Sequence, residues 1–321
     1  MAGPGRIDVH HHMVPDFYRE TLAGLGITVS AGVPLPSWSP AASLEVMDAH
    51  GIAAAILSLS FPGVYFGDPT AAKRLARECN EAGARIAADH PGRFGWFAVL
   101  PLPLTGAAVE EAIFALDTLH ADGVVLLASN AGKFLGDPAF EELMAELDVR
   151  GTVAFVHPAI HPSSEGLGLD WPGFLVEFLF DTTRAVANFI FSGTLERHRR
   201  IRWILSHAGG TIPYIWWRLQ AGSMVLPSAQ ENFPRGVVHY LQQLYYDTAL
   251  SPSAAAIGGV LQLAGPSRVL FGSDFPFAPA RAVAREVADL DGLDILDDET
   301  RRRIACENAG GLFPRFARGA G

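Results

Sequence analysis

Three adjacent histidines are the strongest chemical signal in the sequence. They lie at positions 10 to 12 of the segment Asp8–His12, which is typical of a first β-strand. Because side chains alternate along a strand, His10 and His12 share one face and His11 lies on the other. Two imidazoles on one face form a natural chelate for a metal ion. An accidental run of histidines is the alternative.

Three further polar residues follow apolar strands. His157 ends the strand predicted over 153–157, while His207 and Asp274 each follow a later predicted strand. In a barrel of parallel strands, the carboxyl ends line the mouth of the active site. A lone histidine after a strand is usually structural, but the coincidence with the first strand favours one shared site.

The elements that must position these residues alternate between β-rich and helical runs. The predicted strands are Ile7–Val14, Ala53–Ser60, Phe94–Leu100, Gly123–Ala128, Val153–His157, Ile201–Ser206, Leu244–Thr248 and Val269–Gly272. Several are nearly all apolar, as strands covered on both faces are. Eight strands interleaved with helices predict an α/β fold, a (β/α)₈ TIM-like barrel.

Helix starts and long loops complete this outline. Capping side chains before a proline predict helix starts at Asp68-Pro69, Asp137-Pro138 and Ser251-Pro252. Three segments exceed ordinary loop lengths, near 17–40, 158–171 and 223–235. Long loops usually cover a site or an interface. We expect one domain over residues 1–321 with these segments as insertions.

The composition excludes several classes of protein. Apolar residues make up 49% and charged residues 18% of 321 residues, which argues against disorder. The net charge of −10 argues against nucleic acid or an anionic membrane as the main partner. Two distant cysteines exclude a disulfide framework. No apolar run reaches the ~18 residues of a membrane span, and no signal segment is visible, so we expect a cytoplasmic protein.

These motifs together resemble the amidohydrolase superfamily. The matching segments are Ile7–His12 with Pro15, His157-Pro158, His207–Gly210 with Pro213, and Phe271–Pro276. The resemblance is strongest to the branch of aminocarboxymuconate-semialdehyde decarboxylase and related non-oxidative decarboxylases. Within that branch, the opening histidines with Pro15–Tyr18 and Trp38–Pro40 resemble 6-methylsalicylate decarboxylases. The resemblance runs from Ile7 to Asn308 and implies a distorted barrel of amidohydrolase type.

The resemblance also implies a ligand set. His10, His12, His157 and Asp274 would hold one divalent metal, with His207 as a neighbouring acid or base. From the residues themselves, three imidazoles and one carboxylate suit Zn²⁺, and Mn²⁺ or Fe²⁺ stays open. No organic cofactor is expected.

A second metal would lack its bridge. Many amidohydrolases hold two metals through a carboxylated lysine on the fourth strand, but Gly123–Ala128 contains no lysine. The chain has two lysines, Lys73 in a predicted helix and Lys133 in a loop beyond that strand. We therefore expect one metal.

Four residues are candidates for binding a small aromatic carboxylate. Arg218 matches an arginine that, in the muconate enzyme, reaches a substrate carboxylate from the neighbouring subunit, which implies a homodimer. A surface arginine is the alternative. That enzyme's second arginine matches Ser43 here, which favours a monocarboxylate. The aromatic candidates, with ordinary packing as the alternative, are Trp38, Phe61 and Phe277.

Neighbouring polar residues are assigned structural roles. His11 is expected to form hydrogen bonds behind the site, and Asp8 to lie deeper in the first strand. Asp247 is expected to stabilise a helix or loop, and His161 the loop after the fifth strand. The histidines in helical stretches, His198 among them, are expected at the surface.

Two reactions fit these residues. The first is metal-dependent, non-oxidative decarboxylation of an ortho-hydroxybenzoate of the 6-methylsalicylate type to a phenol and CO₂, the reaction of a carbon–carbon lyase. Direct cleavage would leave an aryl carbanion, so Asp274 or His207 must first protonate the ring carbon. The alternative is a mononuclear hydrolase, a lactonase or amidohydrolase, acting on a small carboxylate-bearing substrate. A barrel that binds a ligand without turnover is a third interpretation.

Overall fold

Eight parallel strands form a barrel at the centre of the computed structural model, which describes residues 5–317. The strands are β1 Arg6–His12, β2 Ile52–Ser58, β3 Phe94–Val99, β4 Gly123–Leu127, β5 Val153–His157, β6 Arg202–Leu205, β7 Tyr245–Asp247 and β8 Val269–Leu270. The predicted fold and all eight predicted strands are confirmed, with ends that differ by a few residues. Of the domain expected over 1–321, residues 1–4 and 318–321 lie outside the described residues.

The barrel closes irregularly between β8 and β1. Strands adjacent in the chain pair in parallel from β1 through to β8. Beyond β8 the chain stays beside β1, where the Asp274 amide donates to the His10 carbonyl and the His12 amide to the Phe275 carbonyl, each at 2.7 Å. Two of the predicted metal ligands therefore lie directly beside the third.

Helices surround the barrel. They are α1 Asp16–Gly24, α2 Pro40–Ala49, α3 Pro69–Asp89, α4 Thr105–Asp117, α5 Glu141–Arg150, α6 Pro162–Glu165, α7 Glu177–Phe191, α8 Thr194–Arg197, α9 Ile212–Gln220, α10 Gly222–Val225, α11 Ala229–Asn232, α12 Val237–Leu241, α13 Ala254–Ala264, α14 Ala280–Asp291, α15 Asp298–Arg302 and α16 Asn308–Leu312. Within residues 5–317, none of these helices combines the length and apolarity that crossing a membrane requires.

Two of the three predicted helix starts are confirmed. The Asp68 side chain caps α3, and that of Asp137 caps the 3₁₀ turn before α5. The third was wrong by two residues, because α13 begins at Ala254 and the Ser253 hydroxyl accepts from the Ala256 amide. Ser253 offers the same capping chemistry as the serine before the proline, so local sequence could not choose between them.

The three long segments contain short elements that periodicity did not predict. The first holds α1 and a hairpin that pairs Val29–Ser30 with Val33–Pro34. The second holds α6, and the third holds α11 and the end of α10. Periodicity did not reveal them because most of these elements span four residues or fewer, too short for a periodic pattern.

One expected surface residue is buried. His198 is 7% exposed, and its Nε2 atom lies 2.8 Å from Oε1 of Glu141. The partner comes from α5, far away in the chain, so the helical pattern around His198 gave no sign of it.

The interior beneath the histidines is aromatic. Phe97 and Phe155 are fully buried, with ring centroids 5.6 Å apart, and Phe155 lies 4.9 Å from the ring of His10. Electrostatic interactions are stronger above such an apolar floor than in water.

Candidate metal centre

The ends of β1 and β5 and the segment after β8 bring four side chains together. His10, His12, His157 and Asp274 are buried, and their ligand atoms all lie within 4.8 Å of one another. The Nε2 atoms of His10 and His12 are 3.0 Å apart, and Oδ1 of Asp274 lies 3.3 and 3.0 Å from them. These are the four residues that the sequence pointed to as metal ligands.

The outer ring nitrogens fix the direction of the lone pairs. Nδ1 of His10 lies 2.7 Å from Oδ2 of Asp247, and Nδ1 of His157 lies 2.9 Å from the Pro158 carbonyl. Nδ1 of His12 lies 2.9 Å from the Ser58 hydroxyl and 3.3 Å from the Ser58 carbonyl. The carboxylate and carbonyl oxygens can only accept hydrogen bonds, and the serine hydroxyl can accept one, so each Nδ1 carries a proton. Each ring, when neutral, then turns the lone pair of its Nε2 atom inward.

A cluster of acceptors fits a cation. With no cation bound, burial disfavours a charged His10, but Asp247 and Asp274 outweigh it and raise the pKa of His10 to about 10. A metal ion would take the place of that proton. Three imidazole nitrogens and one carboxylate oxygen are a donor set for a divalent metal. The residues present therefore fit one divalent ion.

Asp247 connects this cluster to His207. One carboxylate oxygen faces the His10 ring, and the other accepts from the backbone amides of His207 at 2.8 Å and Ala249 at 3.1 Å. The carboxylate thus orients a ligand ring and fixes the backbone that carries the neighbouring histidine. The sequence assigned Asp247 a general stabilising role. Asp247 ends the strand next to the one that leads to His207, and this position was the sequence feature that could have indicated its role.

His207 lies on a turn with an unusual backbone. All four residues of His207–Gly210 have positive φ, at 53°, 54°, 74° and 66°. A Cβ atom on Gly210 would lie 2.3 Å from the Leu179 carbonyl oxygen, so glycine is required there. The tight turn directs the His207 side chain towards the cluster.

The His207 ring is neutral and presents one nitrogen to the site. Nδ1 lies 3.1 Å from the Ala249 carbonyl, so it donates there and leaves a lone pair on Nε2. The ring centroid is 4.9 Å from that of His10. Burial, and next the nearby His10, lower the pKa of His207. The ring is therefore a base near neutral pH.

A polar network supports β1 from behind. Asp8 accepts from the Ser273 hydroxyl at 2.5 Å and faces Nδ1 of His11 at 3.0 Å. Nε2 of His11 lies 2.8 Å from the Ser43 hydroxyl, to which the Trp38 indole also donates at 2.8 Å. The structural roles predicted for Asp8 and His11 agree with these contacts.

A cavity of about 510 Å³ opens onto the cluster. Its wall combines His157, His207 and Asp274 with aromatic side chains. Phe277 lies 5.4 Å from the ring of His12, and Phe178 lies 5.7 Å from the ring of His157. A pocket of this size and lining suits a small aromatic molecule. Sequence reasoning missed Phe178, whose position in α7 offered no sign of the contact.

The structure separates the four predicted substrate residues. Phe277 lines the cavity, whereas Phe61 lines a neighbouring cavity and packs edge to face on Phe178. Trp38 is buried behind β1 and is not part of the cavity wall. Arg218 is exposed on the outer surface of α9, away from the cavity of its own chain.

Comparisons with known proteins agree with this geometry. The sequence model of the family described as amidohydrolase matches residues 7–315. The 6-methylsalicylic acid decarboxylase of Aspergillus aculeatus is 37% identical, with 98% of this chain and 97% of that protein covered. The enzyme of the same name from Penicillium expansum is 36% identical, with 97% of each covered. A crystal structure of an amidohydrolase II has a TM-score of 0.89 at 30% identity, covering 96% of this chain and 99% of that one.

Proposed function

The chain belongs to the amidohydrolase family, and we propose that its substrate is 6-methylsalicylate or a close ortho-hydroxybenzoate. It is a metal-dependent decarboxylase of hydroxybenzoates, a carboxy-lyase that forms a phenol and CO₂. The observation that carries the proposal is the joining of one four-residue metal cluster to an aromatic cavity. The names of the two decarboxylases, which match this chain over nearly their whole length, support it.

Different residues of the site bind the metal ion and the substrate ring. His10, His12, His157 and Asp274 would hold the ion. When bound, a divalent cation supplies the positive charge that attracts the carboxylate and the adjacent ring oxygen. Aromatic side chains in the wall contact the ring and shield it from water. Positioning of this kind lowers the barrier by removing the substrate's freedom before the reaction.

We assign the proton transfer to His207. Its neutral Nε2 takes the proton of the phenol hydroxyl and delivers it to the ring carbon that bears the carboxylate. The carbon–carbon bond then breaks, CO₂ leaves, and the electron pair restores the aromatic ring as a phenolate, which takes a proton from water. This order avoids an aryl carbanion. Asp274 lines the same cavity and is the second candidate for the transfer.

We propose zinc as the metal. Three imidazole nitrogens and a carboxylate oxygen are a usual donor set for Zn²⁺, and manganese is the alternative that the same donors allow. Elemental analysis of protein purified without added metal tests this proposal. We expect one zinc per chain, and manganese at that stoichiometry would overturn it.

We further propose a homodimer that works in the cytoplasm. On the outer face of α9, Tyr214 is 90% and Trp217 is 63% exposed, beside the exposed Arg218. A patch of large apolar side chains is typical of a surface that another protein covers. The proposed dimer requires a second copy docked there to bring its Arg218 to its neighbour's cavity. Two free, buried cysteines support a reducing compartment. A monomer at micromolar concentration would overturn the dimer.

Product analysis tests the proposed reaction. The purified protein is incubated with 6-methylsalicylate while CO₂ and the phenol are measured. The control substrate is 2-methylbenzoate, which lacks the ring hydroxyl. We expect product from the first and none from the second. Turnover of lactones or amides, with no CO₂ from any hydroxybenzoate, would instead establish the hydrolase.

A further inference from the structure

A second polar cavity lies at the opposite end of the barrel from the metal cluster. It measures about 270 Å³ and spans the beginnings of three neighbouring strands. Arg202 is the first residue of β6, Tyr245 the first of β7, and Arg268 directly precedes β8. We call it the arginine cavity, because four arginines line it: Arg199, Arg202, Arg235 and Arg268.

The lining is strongly positive although the chain is acidic. Among its lining residues, Glu196 is the one carboxylate. That carboxylate already pairs with Arg199 and accepts from the Tyr240 hydroxyl at 2.8 Å. The chain as a whole has a net charge of −10, so a local excess of arginine does not follow from its composition.

Three of the guanidinium groups have no acidic partner among the side chains that the structure describes. Nε of Arg202 donates to the Gly151 carbonyl at 3.2 Å, and the Arg268 group lies 4.7 Å from the centre of the Tyr245 ring. Nη1 of Arg235 faces Nε2 of a histidine at 3.4 Å. Each group keeps further N–H donors for a ligand.

The nearby positive charges shift the pKa of that histidine, His239. Burial, and then the charges of Arg235 and Arg199, lower the pKa of His239. His239 therefore stays neutral near pH 7 and adds no charge of its own. The repulsion among these groups would be relieved by an anion placed between them.

We propose that the arginine cavity binds a small oxyanion with two or more negative charges, a phosphate group. Guanidinium groups match phosphate oxygens with paired hydrogen bonds, which a single-atom anion such as chloride cannot use. The volume admits inorganic phosphate or the phosphate group of a small metabolite. The site is distinct from the metal centre and does not depend on the reaction catalysed there.

An anion at this position would join strands that carry catalytic residues at their other ends. The chain leaves β6 towards His207 and leaves β8 towards Asp274. Contacts from one ligand to Arg202 and Arg268 link the start of β6 to the start of β8. Binding to the folded state alone raises stability by mass action, so the expected effect is a more stable barrel.

Thermal unfolding in phosphate tests this site. Wild-type protein is titrated with inorganic phosphate and, separately, with sodium chloride at matched ionic strength. We expect phosphate to raise the unfolding midpoint by a few degrees in a saturable way, beyond the effect of chloride. The double variant Arg202→Gln/Arg268→Gln should lose this saturable rise. Arg285→Gln should keep it, because Arg285 is exposed and pairs with Asp289 on α14.

Two further measurements keep the test decisive. If the double variant does not fold, Arg235→Gln replaces it, since that exposed side chain faces a neutral histidine. Phosphate bound to an active-site metal would lose its effect after chelator treatment, whereas phosphate in the arginine cavity would not. A rise no larger than that of chloride, or one that persists in the arginine variants, would overturn the proposal.

Discussion

The two ends of β6, β7 and β8 carry opposite kinds of polar site. At the carboxyl end, buried imidazoles and a carboxylate converge on one point, and each of the three imidazoles makes a further contact through its Nδ1 atom. At the amino end, mostly exposed guanidinium groups present donors on long side chains. The difference shows how strongly ligand binding at each site depends on any single residue. A buried ligand set fails when one member is lost, whereas exposed charges contribute gradually.

The largest effect is expected at the buried end from His12→Ala. Removing one of three imidazoles should abolish bound metal and lower decarboxylation at least ~10³-fold, because several kcal/mol of electrostatic stabilisation are lost. Elemental analysis and phenol release measure the two losses. The control is His161→Ala, which changes a histidine that caps α6 in the loop after β5. A metal-free His12→Ala protein with full activity would contradict the site.

His207→Gln separates proton transfer from metal binding. The histidine is not one of the four proposed ligands, so the bound metal should stay. Loss of a positioned acid or base should lower kcat by ~10²–10⁴-fold. Metal content and kcat are measured on the same preparation. A near-normal kcat would move the proton transfer to Asp274.

Asp247→Asn tests whether the residue behind a ligand matters less than the ligand. The carboxylate accepts from His10 and from two backbone amides. Loss of the charge that orients and polarises an imidazole should weaken metal binding by ~10–100-fold, a smaller effect than loss of a ligand. Competition with a chelator measures the affinity. An unchanged affinity would show that Asp247 is merely structural.

Glu286→Gln should have the smallest effect on catalysis and should change the pH dependence of stability instead. Oε2 of Glu286 accepts from the Leu250 amide, and Oε1 is buried with no partner among the residues described. Burial is the main cause that raises the pKa of Glu286 from 4.5 to about 8. The unfolded chain therefore ionises first, and the folded state loses stability as pH rises between those two values.

The Glu286→Gln variant should keep its stability as pH rises through this range. Denaturant unfolding of chelator-treated protein at three pH values within that window would measure it, with a difference of at most ~5 kcal/mol across the whole window. Parallel curves for wild type and variant would show that the carboxyl group does not titrate in this way.

The convergence of the candidate ligands was predictable because strand geometry is a local property. Alternation along β1 places His10 and His12 on one face, and the carboxyl ends of parallel strands meet at one mouth. The same rule brings His157, His207 and Asp274 to that mouth, whereas the choice of His157 and Asp274 as ligands came from the family resemblance. The convergence therefore required only strand positions, which apolar runs reveal well.

The remaining features depend on contacts between distant segments. Asp247 meets His10 only after the barrel closes, and Phe178 reaches the mouth from the start of α7. The arginine cavity joins residues that precede separate strands. None of these contacts produces a periodic pattern in the sequence. Sequence reasoning therefore gave these residues ordinary roles or no role.

Anomalous diffraction at the absorption edge of the bound metal tests the central claim most directly. We predict one peak per chain, ~2.0–2.2 Å from Nε2 of His10, His12 and His157 and from a carboxylate oxygen of Asp274. The structure also brings His10, His207 and Asp247 within ligand distance of one another. A peak among those three residues, or no peak at the predicted cluster in metal-loaded, active protein, would contradict the account.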